Sequence, residues 1–236
     1  MTRVKICGCM RVEDALVAKE VGADFVGLMF APDSRRRLTV DQARAIVEAL
    51  DATPAPVAVP PAEDDVEAWF LRAAAALEGS LGGGRPLTVG VFEDQPINDV
   101  NRIAAEVGLD LVQLSGREAW DDCRRAIRPA VKAIEAAPDA GVDEAIAALE
   151  PGGAIAVLLD ASRGRGIPLD RDIAAAIARR VPIWVAGGLT PENVADAVRE
   201  VRPWAVDVSS GVETDGAKDP EKIRAIVAAA NVAVRA

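Results

Sequence analysis

The chain has 236 residues, half of them hydrophobic, about a quarter charged, and a formal net charge of -10. That length can bury a sizeable core, and the composition is that of a globular chain, not a disordered one. The acidic balance supplies no basic face for nucleic-acid phosphates, and no apolar run approaches the ~18 residues of a membrane helix. No signal-peptide pattern opens the sequence, so the expected location is cytoplasmic.

Short β-branched runs alternate with amphipathic segments along the whole chain. In order, strand 3–7 is followed by helix 12–21, strand 25–30 by helix 39–50, and strand 87–92 by helix 96–107. Strand 110–114 precedes helix 117–127, strand 130–134 precedes helix 141–149, and strand 154–160 precedes helix 170–179. Strand 182–186 with helix 191–200 and strand 204–209 with helix 219–230 complete the pattern. Thr39, the Asp94-to-Pro96 stretch and Thr190-Pro191-Glu192 are helix-start signals. Eight strand–helix units in about 240 residues predict a single-domain α/β fold, a (βα)8 TIM barrel spanning 1–236. An open doubly wound sheet fits less well, because the first turn, Cys7-Gly8-Cys9-Met10, is not a GxGxxG loop. Residues 51–86 interrupt the alternation with five prolines, Gly82-Gly83-Gly84 and a further helical segment near 63–78. They extend a helix-to-strand connection, which in a barrel lies on the face opposite the active site.

The chain contains no histidine. Proton transfer near neutral pH must therefore use a carboxylate, a thiol, a lysine or water. Its three cysteines, Cys7, Cys9 and Cys123, suit neither a disulfide framework nor a zinc site, so no metal is expected. Cys7 ends the first strand and Asp160 the sixth, which in a barrel places a thiol and a carboxyl on one rim. Lys5 lies two residues before Cys7 on the same face, where an ammonium favours a thiolate. Gly8 follows and leaves room for a ligand, whereas Cys9 is assigned to packing. Ala186-Gly187-Gly188-Leu189-Thr190 and Val208-Ser209-Ser210-Gly211 follow the last two strands, the usual place for phosphate held by backbone amides. Ser34-Arg35-Arg36-Arg37 follows the second strand, where an arginine can grip a carboxylate in bidentate fashion. The residues sketch a ligand with phosphate at one end, a second anion at the other, and proton chemistry between.

In this order and spacing, several stretches jointly resemble the phosphoribosylanthranilate isomerase family. They are Lys5-Ile6-Cys7-Gly8, Phe30-Ala31-Pro32-Asp33-Ser34-Arg35-Arg36, Leu109-Asp110-Leu111-Val112-Gln113-Leu114, Ala186-Gly187-Gly188-Leu189-Thr190-Pro191-Glu192-Asn193 and Val206-Asp207-Val208-Ser209-Ser210-Gly211-Val212-Glu213. The resemblance covers nearly all the chain apart from 51–86. It implies a cofactor-free Amadori rearrangement of N-(5-phosphoribosyl)anthranilate to 1-(2-carboxyphenylamino)-1-deoxyribulose 5-phosphate, the third step of tryptophan synthesis from chorismate. By the family's roles Asp160 donates a proton to the ribose ring oxygen and Cys7 removes the C2 proton. Arg36 holds the anthranilate carboxylate, Asp207 lines the pocket, and Gly187, Gly188, Ser210 and Gly211 hold the phosphate. The implied partner is a small phosphorylated substrate, bound by a monomer or homodimer. Two departures stand out. Ser115 replaces the family's usual histidine, and the loop after Asp160 is short, keeping Gly164 and Gly166 as substrate-loop glycines but placing Ile167 where lysine is usual. These departures leave two alternatives: a divergent barrel isomerase acting on another phosphoribosyl amine, or a non-catalytic barrel that binds a phosphometabolite.

Overall fold

The β-branched runs pair in parallel, each with the next in sequence: β1 (Arg3–Cys7), β2 (Phe25–Met29), β3 (Leu87–Phe92), β4 (Leu111–Leu114), β5 (Ala130–Ile134), β6 (Ala156–Asp160), β7 (Ile183–Ala186) and β8 (Ala205–Val208). The computed structural model describes residues 1–51, 57–135, 141–160 and 170–233. β8 pairs back onto β1, from Arg3↔Ala205 to Ile6↔Val208, so the eight strands close into a barrel whose order is the chain order. The strands are buried almost throughout, since helices cover one face and the barrel's own side chains the other.

The helices are α1 (Val12–Glu20), α2 (Val40–Ala49), α3 (Val66–Ser80), α4 (Ile97–Val107), α5 (Trp120–Arg125), α6 (Val142–Ala147), α7 (Arg171–Ala178), α8 (Val194–Val201) and α9 (Pro220–Ala233). Thr39 caps α2 as expected: its hydroxyl accepts from the Gln42 amide at 3.2 Å, and the Gln42 side chain accepts from the Thr39 amide at 2.9 Å. The start of α8 differs from the sequence expectation. Pro191 and Glu192 form a turn instead of the first helical turn, because the Asn193 side chain accepts from the Thr190 amide and donates to the Gly188 carbonyl. That ties the helix entry to the glycine loop before it. A hairpin absent from the sequence expectation, β9 (Glu213–Thr214) and β10 (Ala217–Lys218), follows β8. Asp215 and Gly216 both take positive φ in its two-residue turn, the geometry an Asp-Gly pair favours. None of the described helices is long and apolar enough to cross a membrane.

Helix α3, from the 51–86 segment, packs at the strands' N-terminal ends. The Trp69 indole donates to the Ala154 carbonyl at 2.8 Å, two residues before β6, and Trp69 is 1% exposed. Ala73 and Leu77 join Phe25, Leu87, Leu111, Trp184 and Ala205 in one apolar cluster, all at or near strand starts. The C-terminal ends of the strands are at the other end of the barrel. Trp69→Ala removes a large buried side chain and its hydrogen bond, a loss on the order of 3–5 kcal/mol. Urea unfolding should show that loss, and a fall below about 1 kcal/mol would mean α3 is peripheral.

Candidate active site

The C-terminal strand ends surround a cavity of about 540 Å³. Cys7, Asp160 and Asp207 line it from the ends of β1, β6 and β8, together with Arg36, Gly187, Gly188, Ser210 and Gly211. Eight of the ten residues singled out in the sequence therefore meet at one site. The other two, Gly164 and Gly166, lie outside the described residues, as do Arg163, Arg165 and Ile167 of the same loop.

Beneath Cys7 the barrel holds a buried ion pair. Lys5 Nζ lies 2.9 Å from Asp207 Oδ2, with the lysine side chain wholly buried and the aspartate 7% exposed. The pairing register places Lys5 beside Asp207, and Ala186 of β7 beside both Asp207 and Asp160. One strand thus separates the two carboxylates. Burial acts against the Lys5 ammonium, but Asp207 and Cys7 outweigh it and hold the lysine above its usual pKa. Burial pushes the Asp207 carboxyl up, against the pull of Lys5.

The Cys7 thiol differs from the sequence expectation. Lys5 does pull it towards thiolate, as its position suggested, and so does Lys218. Burial and the Asp207 charge are stronger, and the net shift is upward. Room for this stack comes from Gly27 on β2, opposite Cys7 in the register. A Cβ there would stand 2.8 Å from Cys7 Sγ and 3.2 Å from Lys5 Cε. Cys9 packs as expected: it is fully buried, with burial pushing its thiol up to about 12.

On the cavity wall Arg36 is already engaged. Its Nε and Nη2 donate to the two carboxylate oxygens of Glu213 at 2.6 and 3.0 Å. Its stem crosses the space that Gly8 leaves open, where a Cβ would meet Arg36 Cδ at 2.5 Å. The room at Gly8, read from the sequence as space for a ligand, is filled by this arginine. Glu213 also accepts from Arg35 at 2.6 Å and from Lys218 at 2.9 Å. Burial opposes its charge, but Arg36 and Lys218 prevail and hold it down at about 2.

The loops after β7 and β8, which also line the cavity, come into backbone contact. A Cβ on Gly211 would overlap the Leu189 carbonyl, so only glycine permits this approach. Gly187 and Gly188 take φ of 115° and 62°. Among the described residues, the amides of Gly187, Gly188, Ser210 and Gly211 donate to no backbone carbonyl outside regular elements. Amides left in this way suit an anion. Gln113, from β4, donates to Ser115 at 3.0 Å. Among the described residues, Gln113 Oε1, Asp207 Oδ1 and Ser209 Oγ are buried with no hydrogen-bond partner, which marks where a polar ligand gains most. Among the described residues no group of three or more histidine, cysteine or acidic side chains is arranged to hold a metal ion.

Comparison with known proteins decides the family. The profile described as PRAI, N-(5'phosphoribosyl)anthranilate (PRA) isomerase, matches residues 73–229. An N-(5'-phosphoribosyl)anthranilate isomerase of Roseiflexus castenholzii is 40% identical over 98% of this chain and 99% of its own. The chain belongs to the phosphoribosylanthranilate isomerase family. It also matches a multifunctional tryptophan biosynthesis protein of Phycomyces blakesleeanus at 40% identity over 95% of this chain, spanning only 32% of that longer protein. A solved phosphoribosyl anthranilate isomerase, in complex with reduced 1-(o-carboxyphenylamino)-1-deoxyribulose 5-phosphate, superposes with a TM-score of 0.73 at 32% identity. That match covers 98% of this chain and all of the other. Within this isomerase family architecture, sequence reasoning passed over Glu213, Lys218 and Gly27. Glu213 ended a matching stretch, with Lys218 five residues behind it, but neither had an assigned task, and the signal that could have found them is Asp215-Gly216, which folds β10 back onto β9.

A carboxyl held at about 2, against an ordinary 4.5, stabilises the fold above pH ~5 and ceases to do so as pH falls towards 2. Glu213→Gln should flatten that part of the stability-versus-pH curve in denaturant titrations. An unchanged acid slope would show that the carboxylate is not held by its cations in solution.

Proposed function

We infer that this chain converts N-(5-phosphoribosyl)anthranilate to 1-(2-carboxyphenylamino)-1-deoxyribulose 5-phosphate, with Asp160 as the general acid and Cys7 as the general base. One observation carries the assignment of roles. A carboxyl and a thiol from β6 and β1 line the same cavity, and so do Arg36, held in the Glu213 cation cluster, and the glycine loops after β7 and β8. The glycine loops suit the phosphate and Arg36 the ring carboxylate, so the ribose lies between, where proton transfer is needed.

Asp160 gives its proton to the ribose ring oxygen. The C1–O bond breaks and the anilino nitrogen supplies the electron pair, leaving a cationic Schiff base. Cys7, as thiolate, then takes the proton from C2. The C–H electrons form a C1–C2 double bond and neutralise the nitrogen, and the enolamine becomes the C2 ketone when C1 accepts a proton and the C2 hydroxyl gives one up. Burial disfavours the thiolate in the free enzyme. The positive Schiff base, formed one step earlier, adds to Lys5 and Lys218 at the moment the thiolate is required. Asp207 keeps Lys5 charged and in place. The tryptophan-pathway isomerisation needs no metal or redox group in this scheme. Ser115 stands where a histidine is usual and takes no part in it. We also propose that 51–86 elaborates a single domain on the face opposite the site, since α3 packs at the strand starts. Three reduced, buried thiols suit a cytoplasmic location.

Purified protein should consume fluorescent phosphoribosylanthranilate, and Cys7→Ala and Asp160→Asn should each lower kcat/KM by roughly 10² or more. Turnover that survives both changes would sink the mechanism. Because the free thiol is shifted upward, wild-type kcat/KM should climb from neutral into alkaline pH, with the half-point above the ordinary thiol value. A profile already flat by pH ~7 would assign the base to another group.

A further inference from the structure

The sequence match ended on Glu213 without giving it a task, and the mechanism above does not use it. Its surroundings are unusual. The carboxylate is 5% exposed and accepts from three cations: Arg36 through both oxygens, Arg35 at Oε2, and Lys218 at Oε1. Three positive charges meet one negative, so the cluster keeps an excess of positive charge beside the cavity. A guanidinium has two forks that can meet a carboxylate: the side edge, Nε with Nη2, and the end edge, Nη1 with the second Nη2 hydrogen. Glu213 takes the side edge. Nη1 makes no hydrogen bond among the described residues.

We propose that Glu213 is a positioning residue for substrate selection: it locks the Arg36 side edge so that the end edge faces the cavity and receives the carboxylate of an ortho-carboxyaryl amine. The proposal rests on the reading that Arg36 binds that carboxylate. Three features of the fold serve the arrangement. Gly8 lets the Arg36 stem lie across the end of β1. The β9–β10 hairpin carries Glu213 and Lys218 face to face as register partners. Lys218 Nζ also donates to the Ser209 carbonyl at 2.8 Å, joining the cluster to the loop before Ser210-Gly211. A single buried carboxylate thus sets the arginine and holds the lysine that braces the loop after β8. An unlocked arginine has several rotatable bonds and loses that freedom on binding, which weakens discrimination.

The test compares two ligands by calorimetry: reduced 1-(2-carboxyphenylamino)-1-deoxyribulose 5-phosphate and its counterpart without the ring carboxylate. The wild type should prefer the carboxylated ligand by about 10- to 100-fold, as expected for one charge-assisted fork. Glu213→Gln and Glu213→Asp, the latter keeping the charge but shortening the reach, should each cut that preference about tenfold. Affinity for the carboxylate-free ligand reports an intact site in each variant. Arg36→Ala should abolish the preference. If Arg36→Ala abolishes it and both Glu213 variants retain the full wild-type preference, Glu213 is only structural and the proposal is overturned. If Arg36→Ala also retains the preference, the assignment of Arg36 is overturned, and the proposal with it.

Discussion

The contact on which the rest of the site depends is the ion pair between Lys5 and Asp207, wholly inside the barrel, at 2.9 Å. It bridges β1 and β8, the first and last strands, at the seam where the barrel closes. Two charges in such a place are costly to desolvate, and their attraction offsets this only when both are present. Removing either partner leaves an uncompensated buried charge, a penalty on the order of 3–5 kcal/mol. The pair therefore fixes the register of the seam, and through it the heights of Cys7 above Lys5 and of Asp160 across β7 from Asp207.

That arrangement also sets the chemistry. Cys7 sits over a cation and an anion whose effects oppose each other, in a setting whose burial favours the thiol. A group so balanced responds strongly to one more charge. In the proposed mechanism the reaction creates a positive charge at the Schiff base, so thiolate formation coincides with the step that consumes it. The two subsites proposed for the ligand's anions are built differently. One uses side-chain charge, Arg36 held by Glu213, and the other uses backbone, where Gly211 permits contact with the Leu189 carbonyl. In that proposal neither subsite relies on the acid or the base, so binding and proton transfer rest on separate residues.

The sequence disclosed the barrel because β-branched runs and amphipathic stretches change period at each boundary, and Cys7 and Asp160 stood out by closing apolar runs. It disclosed the glycine loops for the same local reason. What it did not disclose was longer in range. Arg36 and Glu213 are 177 residues apart, so neither an arginine run nor a lone glutamate announces their pairing. The upward shift of Cys7 depends on depth, which Lys5 two residues away does not reveal. Gly27 was passed over as an ordinary strand residue, though only its register opposite Cys7 explains why a side chain there cannot fit. The start of α8 was misjudged because proline after threonine is a good helix opener locally, whereas Asn193 binds the glycine loop instead.

The division of labour between Asp160 and Cys7 is the central claim, and substrate carrying deuterium at C2 separates the two steps. Mixed with Cys7→Ala, it should undergo ring opening, seen as interchange of the ribose anomers, while its deuterium stays in place. Loss of deuterium from C2 at the wild-type rate would contradict the account, because a group other than Cys7 would then be the base.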